Sequence, residues 1–209
     1  MEKNEKLIER FETELRKVKR PGIEELIAFC RKYDMYTAPS STKYHLSVKG
    51  GLLQHSLNVL DALRSILWRN GDGSYSYMCC GKEIAKISDE SLILIALLHD
   101  ICKTCFYEEV PKFKKDENGK WVSYSGYEVK DQVPYGHGEK SVMMIEKFIR
   151  LESVERYAIR WHMGFPDGAQ EKNIFGTAVE MYPIIWAVHT ADMMAAHFME
   201  DTTGNREGF

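Results

Sequence analysis

The strongest constraint in this chain is an almost continuous apolar run from Ser91 to Leu98 that ends in the polar pair His99-Asp100. The run is apolar on nearly every side, which predicts a helix through the middle of the fold rather than along its surface. A carboxylate at the end of a buried helix is costly unless a partner charge or a metal offsets its removal from water. Asp100 is therefore a candidate functional residue, and Lys103, one turn on, should project towards the same region. The alternative is an ordinary helix C-terminus, where the dipole favours a histidine and a lysine.

The length and composition are those of one globular domain. The chain has 209 residues, of which 44% are hydrophobic and 28% charged, enough to bury a sizeable core. We predict a single domain over residues 1–200, with N-terminal packing helices within 1–33 and a frayed polar tail at 201–209. The formal net charge of −3 gives no overall basic field for nucleic acid or anionic membranes, which leaves only local contacts open.

Targeting signals and cysteine usage bear on the compartment. The charged N-terminus has no apolar signal-peptide core, and the longest apolar run, Leu92–Leu98, is far too short to cross a bilayer. The five cysteines are an odd number in no disulfide-like framework, which suits a reducing compartment. We therefore expect a cytoplasmic protein with no membrane partner.

Hydrophobic spacing predicts helices along most of the chain. Besides the central one, apolar residues recur at helical spacing in segments 4–19, 23–33, 52–68, 137–150, 153–161 and 183–199. Residues 34–51 have loop composition. The sequence therefore predicts a largely helical protein in which most helices bury one face.

The helical pattern breaks between the central helix and residue 136. Two short segments, 110–115 and 120–124, flank a turn and predict a small β-hairpin near residues 107–130, with 127–130 as a candidate third strand. An insertion directly after Asp100 would sit at the mouth of any site there, where it could select the substrate. The aromatic and basic residues in question are Tyr107, Lys112, Lys114 and Trp121. The alternative is a hairpin without a role in function.

More polar side chains lie on, or at the ends of, separate predicted helices. They are His55, His137, His162 and Asp192. Asp192 lies in an apolar helix and needs the same explanation as Asp100, whereas a lone histidine at such a place is more often a satisfied core, surface or capping residue. With His99 and Asp100, the set offers four imidazoles and two carboxylates. These are ligands used by Mn, Fe, Ni, Zn or Mg rather than by thiolate sites.

The order of these residues is also that of a known family. The chain reads His, His-Asp, His, His, Asp, with Gly-Gly-Leu-Leu-Gln-His at the first position and His-Asp-Ile-x-Lys at the second. It resembles the HD superfamily of metal-dependent phosphohydrolases. It is similar in particular to bacterial and phage HD-domain proteins with a Tyr-His and a Gly-Gly-Leu-x-x-His-Ser segment, here Tyr44-His45 and residues 50–56. The resemblance covers roughly residues 21–199 and implies an all-α HD-domain bundle.

The resemblance also implies a set of metal ligands. The residues that would hold a first metal are His55, His99, Asp100 and Asp192. Members with two further histidines bind a second metal, which implies His137 and His162 here, with Asp100 bridging. The implied cofactor is a divalent transition metal, Mn, Fe, Ni, Co or Zn, with Mg also open, at two ions per chain.

The chain departs from the family pattern at two positions. Cys102 stands where many members have glycine, and Trp161 precedes His162 where some binuclear members have a second histidine. The first departure creates a Cys-x-x-Cys with Cys105, but a redox or zinc role would need a different context or two more ligands. Packing is the favoured interpretation of Cys102, and Trp161 makes the second metal less secure than the first.

The sequence thus predicts a cytoplasmic metal-dependent phosphohydrolase acting on a phosphoester of a nucleotide or a nucleic-acid end. Asp100 and Lys103 are the expected catalytic residues, with Lys103 offsetting charge on the phosphate. One alternative is an HD-type di-iron oxygenase, which uses the same ligands. The other is a non-catalytic nucleotide-binding HD module, which should have lost ligands, whereas all six are present here.

Overall fold

The structure is a computed structural model, described for residues 2–166 and 168–200. The tail predicted at 201–209 lies outside the described residues, and the single-domain organisation stays a prediction. Within the described ranges the chain forms eight α-helices and five β-strands. The helices are α1 (Glu2–Leu15), α2 (Ile23–Lys32), α3 (Gly51–Ile66), α4 (Asp89–Leu98), α5 (His137–Ile145), α6 (Ser153–Arg160), α7 (Ala169–Met181) and α8 (Ile184–Met194). The strands are β1 (Trp68–Arg69), β2 (Tyr75–Cys79), β3 (Lys82–Ile87), β4 (Tyr107–Lys115) and β5 (Trp121–Val129).

The predicted central helix is α4, and it lies in the middle of the core. Every residue from Ser91 to Leu98 is buried, and α1, α3 and α6 pack against it. Burial of each leucine or isoleucine side chain contributes about 1.5–3 kcal/mol relative to exposure. The Ser88 hydroxyl accepts a hydrogen bond from the Ser91 N–H and caps the helix start. The α-helix ends at Leu98, so the polar pair that follows stands at its C-terminus.

The prediction of an all-α fold is wrong, because the chain also forms two small antiparallel sheets. The first has the strand order β1-β2-β3 and lies between two predicted helices, in a region for which the sequence analysis predicted no strand. Tyr75 of β2 pairs with Ile87 of β3, and the two-residue turn Cys80-Gly81 joins the strands with positive φ angles of 49° and 75°. Most side chains of β3 are exposed, so this segment lacks the apolar alternation from which a strand is predicted.

The second sheet is the predicted hairpin, formed by β4 and β5. Its pairing runs from Tyr107 opposite Val129 to Lys115 opposite Trp121, so residues 127–129 end β5 instead of forming a third strand. Most of its side chains are exposed, including Trp121 at 63%. Because a strand rises about 3.3 Å per residue, the tip lies roughly 25 Å from the base. The hairpin therefore extends along the outside of the protein.

Some helices differ from the prediction. α7 was not predicted, because only Phe175 and Ala178 are buried along it and its apolar periodicity is weak. The helix predicted at 183–199 is α8 followed by a π-helical turn, Ala195–Met199. None of the helices in the described ranges is long and apolar enough to cross a membrane.

A buried ion pair joins α6 to the segment that follows α1. The two guanidinium nitrogens of Arg20 lie 2.7 and 2.6 Å from the carboxylate oxygens of Glu155, which is fully buried. Burial raises the pKa of Glu155, but hydrogen bonds from Arg20, Ser91 and the backbone of Glu152 outweigh it and hold the pKa below its ordinary value. Glu155 is therefore ionised in the folded protein.

Candidate metal centre

The structure brings all six predicted ligand residues together from five helices and their ends. His55 lies in the first turns of α3, Asp192 on α8, His99 and Asp100 directly after α4, His137 at the start of α5 and His162 just beyond α6. Five of them are buried, whereas the side chain of His137 is 31% exposed. The centre therefore lies inside the protein with one edge open.

Asp100 stands between two pairs of histidines. Its Oδ2 lies 3.6 Å from Nε2 of His55 and 3.6 Å from Nε2 of His99. Its Oδ1 lies 2.6 Å from Nε2 of His137 and 3.4 Å from Nε2 of His162. Each carboxylate oxygen thus faces its own pair of imidazoles, which is the arrangement that a bridging ligand requires.

A negative charge on Asp192 and a positive charge on Lys103 complete the surroundings of His55 and Asp100. Oδ1 of Asp192 lies 3.1 Å from Nε2 of His55. Nζ of Lys103 lies 2.6 Å from Oδ2 of Asp100, and its side chain is only 13% exposed, so it is not a solvated lysine at a helix end. Burial raises the pKa of Asp100, but the charge of Lys103 and the hydrogen bond from His137 outweigh it and hold the pKa well below its usual range. Asp100 is ionised and able to bind a cation.

Helix ends fix the ring orientation of two of the histidines. Nδ1 of His99 lies 2.9 Å from the carbonyl oxygen of Ala96, and Nδ1 of His162 lies 2.6 Å from that of Ile159. The last carbonyls of a helix lack partners within it. Because a carbonyl only accepts, each Nδ1 carries the hydrogen and each Nε2 presents a lone pair. Burial also lowers the pKa of His99 to about 3, which keeps its ring neutral.

These lone pairs face one another and face carboxylates. Nε2 of His162 is buried and has no hydrogen-bond partner among the described residues, although Asp100 is close. A buried polar atom without a partner costs free energy. A cation bound between these atoms would satisfy them, and nitrogen and carboxylate ligands suit a divalent metal. The residues present therefore fit the metal that the sequence implied.

The possible ligand atoms fall into overlapping groups, within each of which the atoms lie no more than 4.8 Å apart. The groups that include predicted ligands are His55, His99 and Asp192; His99, Asp100 and His162; Asp100, Cys102 and His137; and His45, His55 and Glu200. The first group contains three of the four residues predicted for one metal, whereas the second crosses the predicted division, because it combines His99 from one set with His162 from the other. The third adds Cys102 to Asp100 and His137. The last includes a carboxylate that the sequence analysis did not consider.

A close helix approach brings His137 to His162. Gly138 is the second residue of α5, and a Cβ atom there would lie 2.2 Å from the backbone oxygen of Arg160, the last residue of α6. No side chain fits at that distance, so only glycine lets the two helix ends meet. Where these helix ends meet, the rings of His137 and His162 have centroids 5.3 Å apart.

Two residues beside the ligands were missed or given a different role in the sequence analysis. Oε1 of Glu200 lies 2.9 Å from Nδ1 of His55. Its only sequence signal is a charge directly after a long apolar helix. Sγ of Cys102 lies 3.1 Å from Nδ1 of His137, and burial raises the pKa of this thiol to about 12. The Cys-x-x-Cys is not a shared site, because Cys102 is buried towards His137 whereas Cys105 is exposed.

The hairpin reaches the centre only at its base. The Tyr107 hydroxyl donates to the backbone oxygen of Ser40 at 3.3 Å, and the charges of Lys103 and Asp100 act on this phenol. Lys112 instead lies 2.8 Å from the backbone oxygen of Tyr127. Of the four residues predicted beside the site, only Tyr107 lies there. Lys112, Lys114 and Trp121 follow the hairpin outwards.

Comparison with known proteins gives one match. A family model described as HD domain matches residues 52–192, more than half of the chain and a range that holds all six predicted ligands. No curated protein matches the chain, and neither does any solved structure.

Proposed function

The chain belongs to the HD domain family, and on that premise we propose that it is a metal-dependent phosphohydrolase acting on the phosphoester of a nucleotide or of a nucleic-acid end. The observation that carries the proposal is the position of Asp100, whose two carboxylate oxygens face different pairs of histidines. This carboxylate could bind two metals at once, and pairs of metals about 3.5–4 Å apart are used to transfer phosphoryl groups.

The ligand roles follow from these contacts. The residues that would hold the first metal are His55, His99, Asp100 and Asp192. His137 and His162 would hold a second metal that shares Asp100. The nitrogen and oxygen donors suit Mn, Fe, Ni, Co or Zn, and Mg remains open. When bound, such a metal supplies a water whose pKa falls from roughly 15.7 to about 7, together with positive charge for the phosphate.

Besides the metal ligands, the chain would supply a positively charged side chain and an opening through which the substrate reaches the centre. Lys103 is held by Asp100 at 2.6 Å, where its ammonium can offset charge on a phosphate oxygen. The partly exposed side chain of His137 marks the open edge of the centre. A substrate entering there would pass Tyr107 at the hairpin base. We therefore assign substrate selection to the hairpin, with its base nearest the reacting phosphate and its tip available to a larger substrate.

The test is a substrate screen with the metal content measured. Protein loaded with Mn, Ni, Co, Fe or Zn is assayed against nucleotides, short oligonucleotides and generic phosphoesters. We expect turnover of at least one class, with loss of roughly a hundredfold or more in Asp100→Asn. Asp61→Asn is the control, because Asp61 lies on α3 and pairs with Arg10 outside the centre. Metal-loaded protein that turns over no phosphoester would refute the proposal, and a mixed-valence iron spectrum in aerobic protein would favour the oxygenase.

A further inference from the structure

Glu200 is a buried carboxylate whose function is not explained by packing. It follows the π-helical turn Ala195–Met199 and is 5% exposed. Its Oε1 lies 2.9 Å from Nδ1 of His55 and accepts a hydrogen bond from Nδ2 of Asn58 at 3.0 Å. His55 and Asn58 are one turn apart on α3, so a single oxygen binds two side chains on one face of that helix.

This contact decides which nitrogen of His55 faces the centre. An ionised carboxylate only accepts hydrogen bonds, so Nδ1 of His55 carries a hydrogen towards Glu200. This leaves Nε2, which faces Asp192 and Asp100, as the nitrogen available to a metal. His99 and His162 obtain the same orientation from backbone carbonyls. Of these three histidines only His55 depends on a side chain, and a carboxylate partner makes an imidazole a stronger metal ligand than a carbonyl does.

The second carboxylate oxygen of Glu200 lies towards a further histidine, His45. Oε2 of Glu200 and Nε2 of His45 are both buried, and neither has a hydrogen-bond partner within residues 2–166 and 168–200. The two atoms are 4.0 Å apart, and the rings of His45 and His55 have centroids 5.0 Å apart. A closure of about 1 Å would bring Oε2 and Nε2 to hydrogen-bonding distance.

We propose that Glu200 is a positioning residue that fixes His55 as a metal ligand, with His45 as the partner of its second oxygen. The proposal rests on the proposed function only in that a metal binds at His55. It makes no claim about the substrate. Removing an outer partner of a ligand histidine typically costs about 10–100-fold in metal affinity. The same loss is expected here.

The experiment measures Co²⁺ binding to the full chain by titration against a competing chelator and by the visible absorption of the bound ion. Glu200→Ala should bind Co²⁺ about 10–100-fold more weakly, with a shifted spectrum. Glu200→Gln keeps an acceptor oxygen and should lie closer to wild type. Glu155→Gln is the matched control: it removes an equally buried carboxylate away from the centre and should leave Co²⁺ affinity and spectrum unchanged.

The outcomes separate this proposal from the proposed function. Wild-type protein that binds no Co²⁺ would refute the metal-dependent function itself. Wild-type binding with unchanged affinity and spectrum in Glu200→Ala would overturn the role of Glu200 alone. If Glu200→Ala does not fold, nitrogen-15 NMR of metal-free wild type decides: a hydrogen on Nδ1 of His55 that Glu200→Gln retains supports the proposal, and an Nδ1 without a hydrogen overturns it.

Discussion

Nε2 of His55 and Nε2 of His99 lie 3.3 Å apart in the interior of the protein. The partners of their Nδ1 atoms, Glu200 and Ala96, leave both Nε2 atoms without a hydrogen when the rings are neutral. Two lone pairs at this distance would repel each other, so either a proton or a metal must lie there. Burial lowers the pKa of His55, but hydrogen bonds to Asp192 and Glu200 outweigh it and raise the pKa to about 10, so the proton is held in the absence of a metal. The centre is therefore coupled to whatever cation it holds, and its chemistry can be tested through the stability of the whole fold.

Removal of the metal should lower the melting temperature. A ligand at about a hundred times its dissociation constant contributes about 2.7 kcal/mol to stability, which for a chain of this size corresponds to roughly 5–10 °C. The measurement is calorimetry of protein of known metal content with and without EDTA. Asp100→Ala should contain no metal and should not respond to EDTA. Metal-containing wild type with an unchanged melting temperature would contradict the prediction.

The number of metals should depend on the second pair of histidines. We expect two metals per chain in wild type and about one in both His137→Ala and His162→Ala, with the fold kept and the rate reduced at least about a hundredfold. Metal analysis and circular dichroism provide the measurement, and His197→Ala, at an exposed position on the last turn, is the control. One metal in all variants would leave His55, His99, Asp100 and Asp192 as a mononuclear site.

Gly138→Ala should separate the two ends that carry His137 and His162. Its Cβ would lie 2.2 Å from the Arg160 backbone oxygen, so the helices must move apart at a cost of about 1–3 kcal/mol. We expect loss of the second metal with the first retained. Gly176→Ala is the control, because no described atom lies within 4 Å of a Cβ there; in the interior of α7 it should be neutral or stabilising by about 0.5–1 kcal/mol. Equal metal content in both variants would disprove the role of Gly138.

Shortening the hairpin should change the preferred substrate more than the metal content. Glu108 and Glu128 are paired, so residues 109–127 can be replaced by an Asn-Gly turn while Tyr107 is kept. We expect unchanged metal content, little effect on a small generic phosphoester and a changed rank order among nucleotides and oligonucleotides. The same rank order over the whole panel would mean that the hairpin takes no part in selection.

The Arg20–Glu155 pair should make stability depend on pH. The pKa of Glu155 is lowered in the folded state, so its contribution is full above the unfolded value of about 4.3 and is lost as the pH falls through and below it. Glu155→Gln should cost roughly 2 kcal/mol near neutral pH and less in acid. Glu146→Gln is the control, because its ion pair with Arg156 lies at the surface and should contribute little. Urea unfolding between about pH 3 and 7 measures the difference.

The sequence predicted the parts of the fold that bury the most apolar surface. From Ser91 to Leu98, α4 is almost entirely apolar and every residue is buried, so its position needed no knowledge of its neighbours. The first sheet was missed because β3 is mostly exposed and Cys80-Gly81 is not one of the common hairpin turns. α7 buries only two residues, Phe175 and Ala178, and gave too weak a period for prediction.

The sequence also singled out the six candidate metal ligands, but not the residues that contact them from distant parts of the chain. Each of the six side chains occupies an apolar helix or a helix end, and the family resemblance implied that they form one set. The fold brings them together, although their binding of metal stays a prediction. Glu200 could not be found in the same way, because its contact with His55 spans 145 positions and no local pattern marks it. The contact between Cys102 and His137 likewise depends on how α5 packs.

The carbonyls that orient His99 and His162 lie three residues earlier in their own helices. Each of these ligands is therefore a self-contained unit: the last helical turn and the histidine after it, independent of any other side chain for the choice of ring nitrogen. Such a unit could be grafted onto the end of an unrelated helix and would still present Nε2 outwards. His55 could not be moved in this way without Glu200, so a designer who borrows this centre would have to carry a distant segment of the chain for one histidine and none for the other two.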